Sequence, residues 1–179
     1  MHSRDSNLLG ALALGITDLV TDAVEEGAKH GAMAPAALAT IGSSPGESID
    51  LLSRTLKLSH SGTVRLIDRL EADGMVERKP GKEGRTVALF LTRAGKRAHA
   101  QVLERRRRAI EGVLAVLSPS ERAELTRLVE KVLTGMTTGR GSAEFICRLC
   151  EIDSCPEHRC PVDREAQRIE KSAADRPIG

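Results

Sequence analysis

The sequence predicts a mainly α-helical fold carrying one small β-hairpin. Three observations lead there. Apolar residues recur at helical spacing through most of the chain. Aromatics are nearly absent, with two Phe, no Trp and no Tyr among 179 residues, while 40% are hydrophobic. The core must then be built from Leu, Val, Ile and Ala, which suits helices better than an all-β fold. Short apolar runs flank a Gly-rich turn once, around residues 75–91.

The elements follow in order. Leu8, Leu12, Ile16, Leu19, Val20 and Val24 share one face of a helix over residues 7–30, which ends near Gly27 to Gly31. Pro35 suits the first turn of a short second helix reaching Ile41. Gly42, Ser43, Ser44, Pro45 and Gly46 break it. Ile49, Leu52 and Leu56 mark a third helix of about two turns. Ser59 caps a fourth that runs to Asp73, and Gly74 supplies its left-handed exit. Met75–Lys79 and Thr86–Leu91 pair as a hairpin whose tip, residues 80–85, is basic and Gly-rich. Thr92 caps a fifth helix to Leu117, and the capping box Ser118-Pro119-Ser120-Glu121 opens a sixth, ending near residues 137–139. Residues 140–165 hold all four cysteines, and the polar residues after 165 read as a frayed tail.

Charge and composition exclude several classes. Lys and Arg number 27 against 25 acids, so the net charge of +2 points to no partner by itself; nucleic acid is bound by a local patch. No apolar run approaches the ~18 residues of a membrane span, and Met1-His2-Ser3-Arg4-Asp5 has no secretory layout. A cytoplasmic location without membrane contact is expected. His2, His30, His60, His99 and His158 are scattered, and none forms a catalytic spacing with an acid or a cysteine. With no phosphate-cradling Gly loop either, an enzyme is not expected.

A helix, a second helix and then a hairpin make a helix-turn-helix followed by a wing. In the fourth helix Val64, Ile67 and Leu70 point inward, while Ser61, Arg65 and Arg69 recur every four residues on the opposite face. A helix entering the major groove needs small residues at its N-terminus and arginines that reach base edges or phosphates. Ser59, Ser61 and Thr63 are suited to donate to phosphate near that N-terminus.

The run from Leu58 to Arg78, LSHSGTVRLIDRLEADGMVER, is similar to the recognition helix and first wing strand of the MarR (multiple antibiotic resistance regulator) family. The wing repeats the family pattern of an acid-x-Arg pair before Leu-Thr, here Glu83-Gly84-Arg85 and Leu91-Thr92, with Glu83 where Asp is usual. Lys57 occupies the turn before the recognition helix, where Gly or Asn would relieve a left-handed residue. The resemblance spans about residues 8–138 and is strongest over 58–92. It implies a homodimer built from the first, fifth and sixth helices, bound to double-stranded DNA at a pseudo-palindromic operator. It implies helix contacts from Ser59, Ser61, Thr63, Arg65 and Arg69, wing contacts from Lys82 and Arg85, and a small-molecule effector. Two long helices at opposite ends of the sequence, more apolar than one winged helix covers, argue independently for the dimer.

The cysteines are Cys147, Cys150, Cys155 and Cys160, spaced C-x2-C-x4-C-x4-C and closed by Pro161. A disulfide framework spreads its cysteines; a tight cluster reads first as a metal site. Four thiolates suit either Zn2+ or an iron–sulfur cluster. The spacing is similar to a retroviral-type zinc knuckle without its glycines, and to the cluster segment of redox-sensing MerR-type regulators with altered inner spacing. The missing glycines, and a regulator's use for an oxidisable centre, favour the iron–sulfur cluster. His158 is a possible substitute ligand for zinc. The expected organisation is a dimerisation helix (1–34), a winged helix-turn-helix (35–92), dimerisation helices (93–139), a cysteine-rich metal-binding segment (140–165) and a flexible tail (166–179). The cysteine segment is expected to act on DNA binding through the dimer helices.

Overall fold

A computed structural model of the chain describes residues 3–25, 31–81, 86–155 and 158–175. Helix α1 (Arg4–Glu25) is followed by α2 (Ala34–Ser43), α3 (Ile49–Leu56) and α4 (His60–Ala72). Strands β1 (Val76–Pro80) and β2 (Val87–Leu91) pair antiparallel, with Val76 opposite Leu91 and Pro80 opposite Val87. Helices α5 (Arg93–Leu114), α6 (Pro119–Met136), α7 (Arg140–Cys147) and α8 (Pro161–Ala174) complete the order. The chain thus has the mainly helical, winged architecture that its sequence predicts.

Local chemistry sets the boundaries. The Ser59 hydroxyl accepts from Gly62 N at 3.1 Å, and Gly74 follows α4 at φ +66°. Thr92 accepts from Gly95 N, and Ser118 and Glu121 close the reciprocal box at the start of α6. Ser48 caps α3 by accepting from Leu51 N. Residues 46–48 also border the hairpin: Gly46 N donates to Leu89 O, and Leu89 N donates to Glu47 O. This short third rung, absent from the sequence expectation, ties the start of α3 to the wing.

The main core joins α2, α3, α4 and the hairpin through Ala37, Leu52, Leu66, Ile67, Leu70, Val76 and Leu89, all buried. Helix α5 docks on it where Gly95 meets the exit of α4. A Cβ at Gly95 would stand 1.9 Å from Met75 O. That same oxygen accepts from Thr92 N at 3.0 Å, so the helix and the hairpin are held backbone to backbone.

Two expectations need correction. Residues 166–174, expected in a frayed tail, belong instead to the amphipathic helix α8. Its Val162 and Ala166 bury against Ala143 of α7, with Leu133 of α6 alongside, in a second small core. Helix α1 is long and apolar enough to cross a membrane by length and composition alone. Asp18 interrupts its longest apolar run, but Leu, Ala and Gly keep its average hydropathy high. It lies against α5, burying only Val24 and exposing Leu8, Leu9, Leu12, Leu14 and Leu19.

Candidate nucleic-acid interface and cysteine cluster

Helix α4 has two chemically distinct faces. Thr63, Leu66, Ile67 and Leu70 are buried, while Ser61, Arg65 and Arg69 are exposed together. Ser59 is exposed beside them, its hydroxyl 3.4 Å from that of Ser61. Thr63, expected to face phosphate, is fully buried, and its hydroxyl donates to Ser59 O at 3.1 Å. It lies on the same stripe as Leu66 and Leu70, so it braces the first turn and is not a DNA contact. Val64, expected inside, is only half-buried. Lys82 and Arg85, the expected wing contacts, lie outside the described residues.

Helix α4 is not uniformly basic, and one residue compensates. Arg78 on β1 reaches back to Asp68 at 2.6 Å and to Glu71, which also accepts from Arg78 N at 3.3 Å. The guanidinium thereby pairs with both acids of the helix's flank, offsetting part of their charge, and ties the helix to the wing. Sequence reading missed it because its partners lie seven and ten residues away on another element. At the other end, His60 Nδ1 lies 2.9 Å from Asp50 of α3.

The cysteines come together. Cys147 ends α7, Cys160 is the buried N-cap residue of α8, and Cys150 and Cys155 lie between. All four line one cavity of about 230 Å³. The thiols are near enough for Cys150 and Cys160 to raise the Cys147 pKa and for Cys160 to raise that of Cys155. Among the described residues no three ligand-type side chains already surround one point. The Cys147 thiol, with Arg106 and Arg148 nearby, holds Cys150 down at about 6 against the effect of burial. The Cys150 thiol and then burial push Cys147 up, while burial takes Cys155 to about 11. Four soft sulfur donors with two arginines beside the thiolate-prone one are the donor set and charge balance that a thiolate-bound metal needs. Arg140, bridging Asp163 at 2.5 Å and Glu170 at 2.9 Å, pins α7 to α8 around the cluster.

Residues 32–85 match the family model described as MarR family. They form a MarR-family domain. The chain is also similar to solved structures of this kind. Wild-type MarR (apo form) from E. coli is 22% identical with a TM-score of 0.63, covering 74% of this chain and 98% of that one. RV1404 from Mycobacterium tuberculosis gives 21% and 0.62, covering 74% and 93%. The PcaV transcriptional regulator from Streptomyces coelicolor gives 24% and 0.57, covering 73% and 95%. No curated protein matches the chain.

The cysteine unit docks on the MarR-family domain at its turn. Lys57, between α3 and α4, is the one non-glycine residue with positive φ among the described residues, at φ 53° and ψ 40°. A left-handed lysine costs about 1–2 kcal/mol and persists where its surroundings hold it. Its N–H donates to Arg54 O, and its Nζ lies 3.8 Å over the ring of Phe145 of α7. Arg148 stacks on the same ring at 4.0 Å. Leu149, between the first two cysteines, packs against the core of the MarR-family domain. This contact between distant segments gave no local signal in the sequence.

Proposed function

We propose that the chain is a homodimeric transcriptional regulator, most simply a repressor, that binds double-stranded DNA sequence-specifically. The observation that carries this is the two-faced α4, with Ser61, Arg65 and Arg69 outward and a fully buried stripe behind. Ser59 adds a hydroxyl at the helix N-terminus, where an anion is favoured. Lys82 and Arg85 are proposed wing contacts on the sequence resemblance alone. The dimer is supported by the apolar faces left exposed on α1 and by Leu128, Val129, Val132 and Met136 of α6. The family neighbours are regulators, in keeping with a non-enzymatic role.

Titration against an operator duplex and a scrambled duplex tests this. Arg65→Ala is expected to abolish the preference for operator, whereas Arg85→Ala weakens both duplexes alike. If a dimer neutralises about eight phosphates, log affinity falls with log salt at a slope of about −7. Unchanged specificity in the Arg65 variant overturns the assignment of α4.

The same reading includes a metal centre ligated by Cys147, Cys150, Cys155 and Cys160 that modulates DNA binding. Its support is the one cavity that all four cysteines line. Such a centre gives the segment a fixed shape, and as an iron–sulfur cluster it adds sensitivity to oxidants. An anaerobic visible spectrum with metal analysis decides its nature; a colourless protein holding one zinc per chain ends the redox version. A small-molecule effector is then the alternative input. A cavity of about 440 Å³ where α2, the wing and α5 meet, lined by Gly42, Lys79, Phe90, Lys96 and His99 among others, favours that second reading.

A further inference from the structure

We infer that the cysteine centre acts on DNA binding within its own subunit, through Phe145, whose ring is held between Lys57 of the helix-turn-helix turn and Arg148 of the cysteine segment. This rests on the reading of the four cysteines as a metal centre. It replaces the route through the dimer helices, expected from sequence, with a direct contact on the element that aims α4.

Three observations meet at this point. First, the turn is conformationally special. Lys57 is left-handed, and the hydrogen bonds closing the turn are those of Lys57 N to Arg54 O and Leu58 N to Ser53 O. Such a residue keeps its conformation only while its neighbours hold it. Second, the neighbour that holds its side chain belongs to the cysteine unit. Lys57 Nζ over Phe145 is a cation–π contact, and Arg148 flanks the same ring while its Nη1 donates to Phe145 O at 2.6 Å. Third, the ring is rigidly linked to the thiols. Phe145 is two residues before Cys147 on the last turn of α7, Arg148 immediately follows Cys147, and the half-buried Leu149 packs against the core of the MarR-family domain.

Filling the centre fixes the end of α7 relative to Cys150, Cys155 and Cys160. The ring then seats against Lys57 and holds the turn in its left-handed form. Emptying the centre frees the segment that carries Arg148 and Leu149. The clamp on the turn loosens, and α4 loses its set angle to the rest of the domain. The two states differ in contacts at the turn, which is what a ligand-driven shift of population requires.

The experiment uses the full chain, loaded with Zn2+ or, anaerobically, with ferrous iron and sulfide, or stripped with chelator under reductant. Duplexes selected from a random pool by each form serve as probes. For the wild type, loaded and stripped protein are expected to differ in Kd by about tenfold. In Phe145→Ala, and in Phe145→Leu, which keeps apolar bulk, metal stoichiometry is retained while the ratio falls below about twofold. Lys57→Gly, which removes both the cation and the need for a clamp, likewise loses the ratio. Hydrogen exchange supplies a readout independent of DNA: stripping accelerates exchange at the amides of residues 57–60 in the wild type, and Phe145→Ala accelerates it even when loaded. Full metal content with a preserved tenfold ratio in the Phe145 variants overturns the route while leaving the metal reading intact. Exchange changes confined to α5 and α6 do the same. A wild-type chain that takes up no metal overturns both.

Discussion

Replacing Arg78 by Met keeps an unbranched apolar stem and removes the guanidinium with its charge, so it isolates the clamp on α4. In the native chain the guanidinium meets Asp68 and Glu71 at once and is about three-quarters buried, with 24% of the side chain exposed. Exposed ion pairs are each worth about 0.2–1 kcal/mol. Two such pairs sharing one partly shielded cation, plus the backbone bond from Arg78 N, put the loss at about 1–2 kcal/mol. At about 2–4 °C per kcal/mol for a chain of this size, the melting temperature falls by about 2–8 °C. DNA binding suffers separately. Each recognition helix loses one neighbouring positive charge, and a unit charge about 8 Å from a phosphate in water is worth about 0.5 kcal/mol, or about 1 kcal/mol over the two subunits of a dimer. Affinity then drops about fivefold at low salt, and the deficit shrinks as salt rises. Circular dichroism melts and fluorescence anisotropy at two ionic strengths measure both effects. A double-mutant cycle with Glu71→Gln should return a coupling of about 0.5–1 kcal/mol. A variant with wild-type melting and a salt-independent affinity loss would refute the electrostatic account of Arg78.

Two further outcomes follow from the packing. Gly95→Ala forces a methyl group toward Met75 O, and no conformational relief of the backbone is at hand; it should destabilise by about 3 kcal/mol, whereas Gly112→Ala in the same helix, with open space at its Cβ, should stabilise by about 0.5–1 kcal/mol. Thermal melts of the pair check this, and equal effects would contradict it. His99 is held below its ordinary range by burial, and its Nε2 has no partner. The unfolded chain therefore binds the extra proton first: stability falls as pH drops through about 6.5 and levels off below the folded value. His99→Gln should flatten the melting temperature between about pH 7.5 and 5.5 relative to wild type, and an unchanged slope would assign that dependence to another group.

What could be read from sequence was what is locally encoded. Ser59, Gly74, Thr92 and Ser118 act on backbone groups within a few residues, so each announces its element without reference to the rest of the fold. The recognition face of α4 was legible for the same reason, since a helix repeats every 3.6 residues. Thr63 was misplaced by weighing its hydroxyl above its phase, although it shares the stripe of Leu66 and Leu70. Contacts between distant segments were invisible. Arg78 with Asp68, Lys57 with Phe145 and Arg140 with Glu170 depend on how elements are brought together. Helix α8 escaped because its apolar residues are few and small: Val162 and Ala166 make a buried face only where α7 supplies the other side.

Helix α1 contributes a single buried residue in 22 to its own subunit. Under the dimer reading its order and the association of two chains are one event, and a lone subunit has little to hold it. The active species is then set by how many chains are present: operator occupancy rises more steeply than the amount of protein, and dilution releases DNA without any signal. A nascent chain is most open to proteases before it meets a partner. Under the proposed function, the abundance of the chain thereby becomes a threshold, set in its first helix, ahead of any signal read at the proposed cysteine centre.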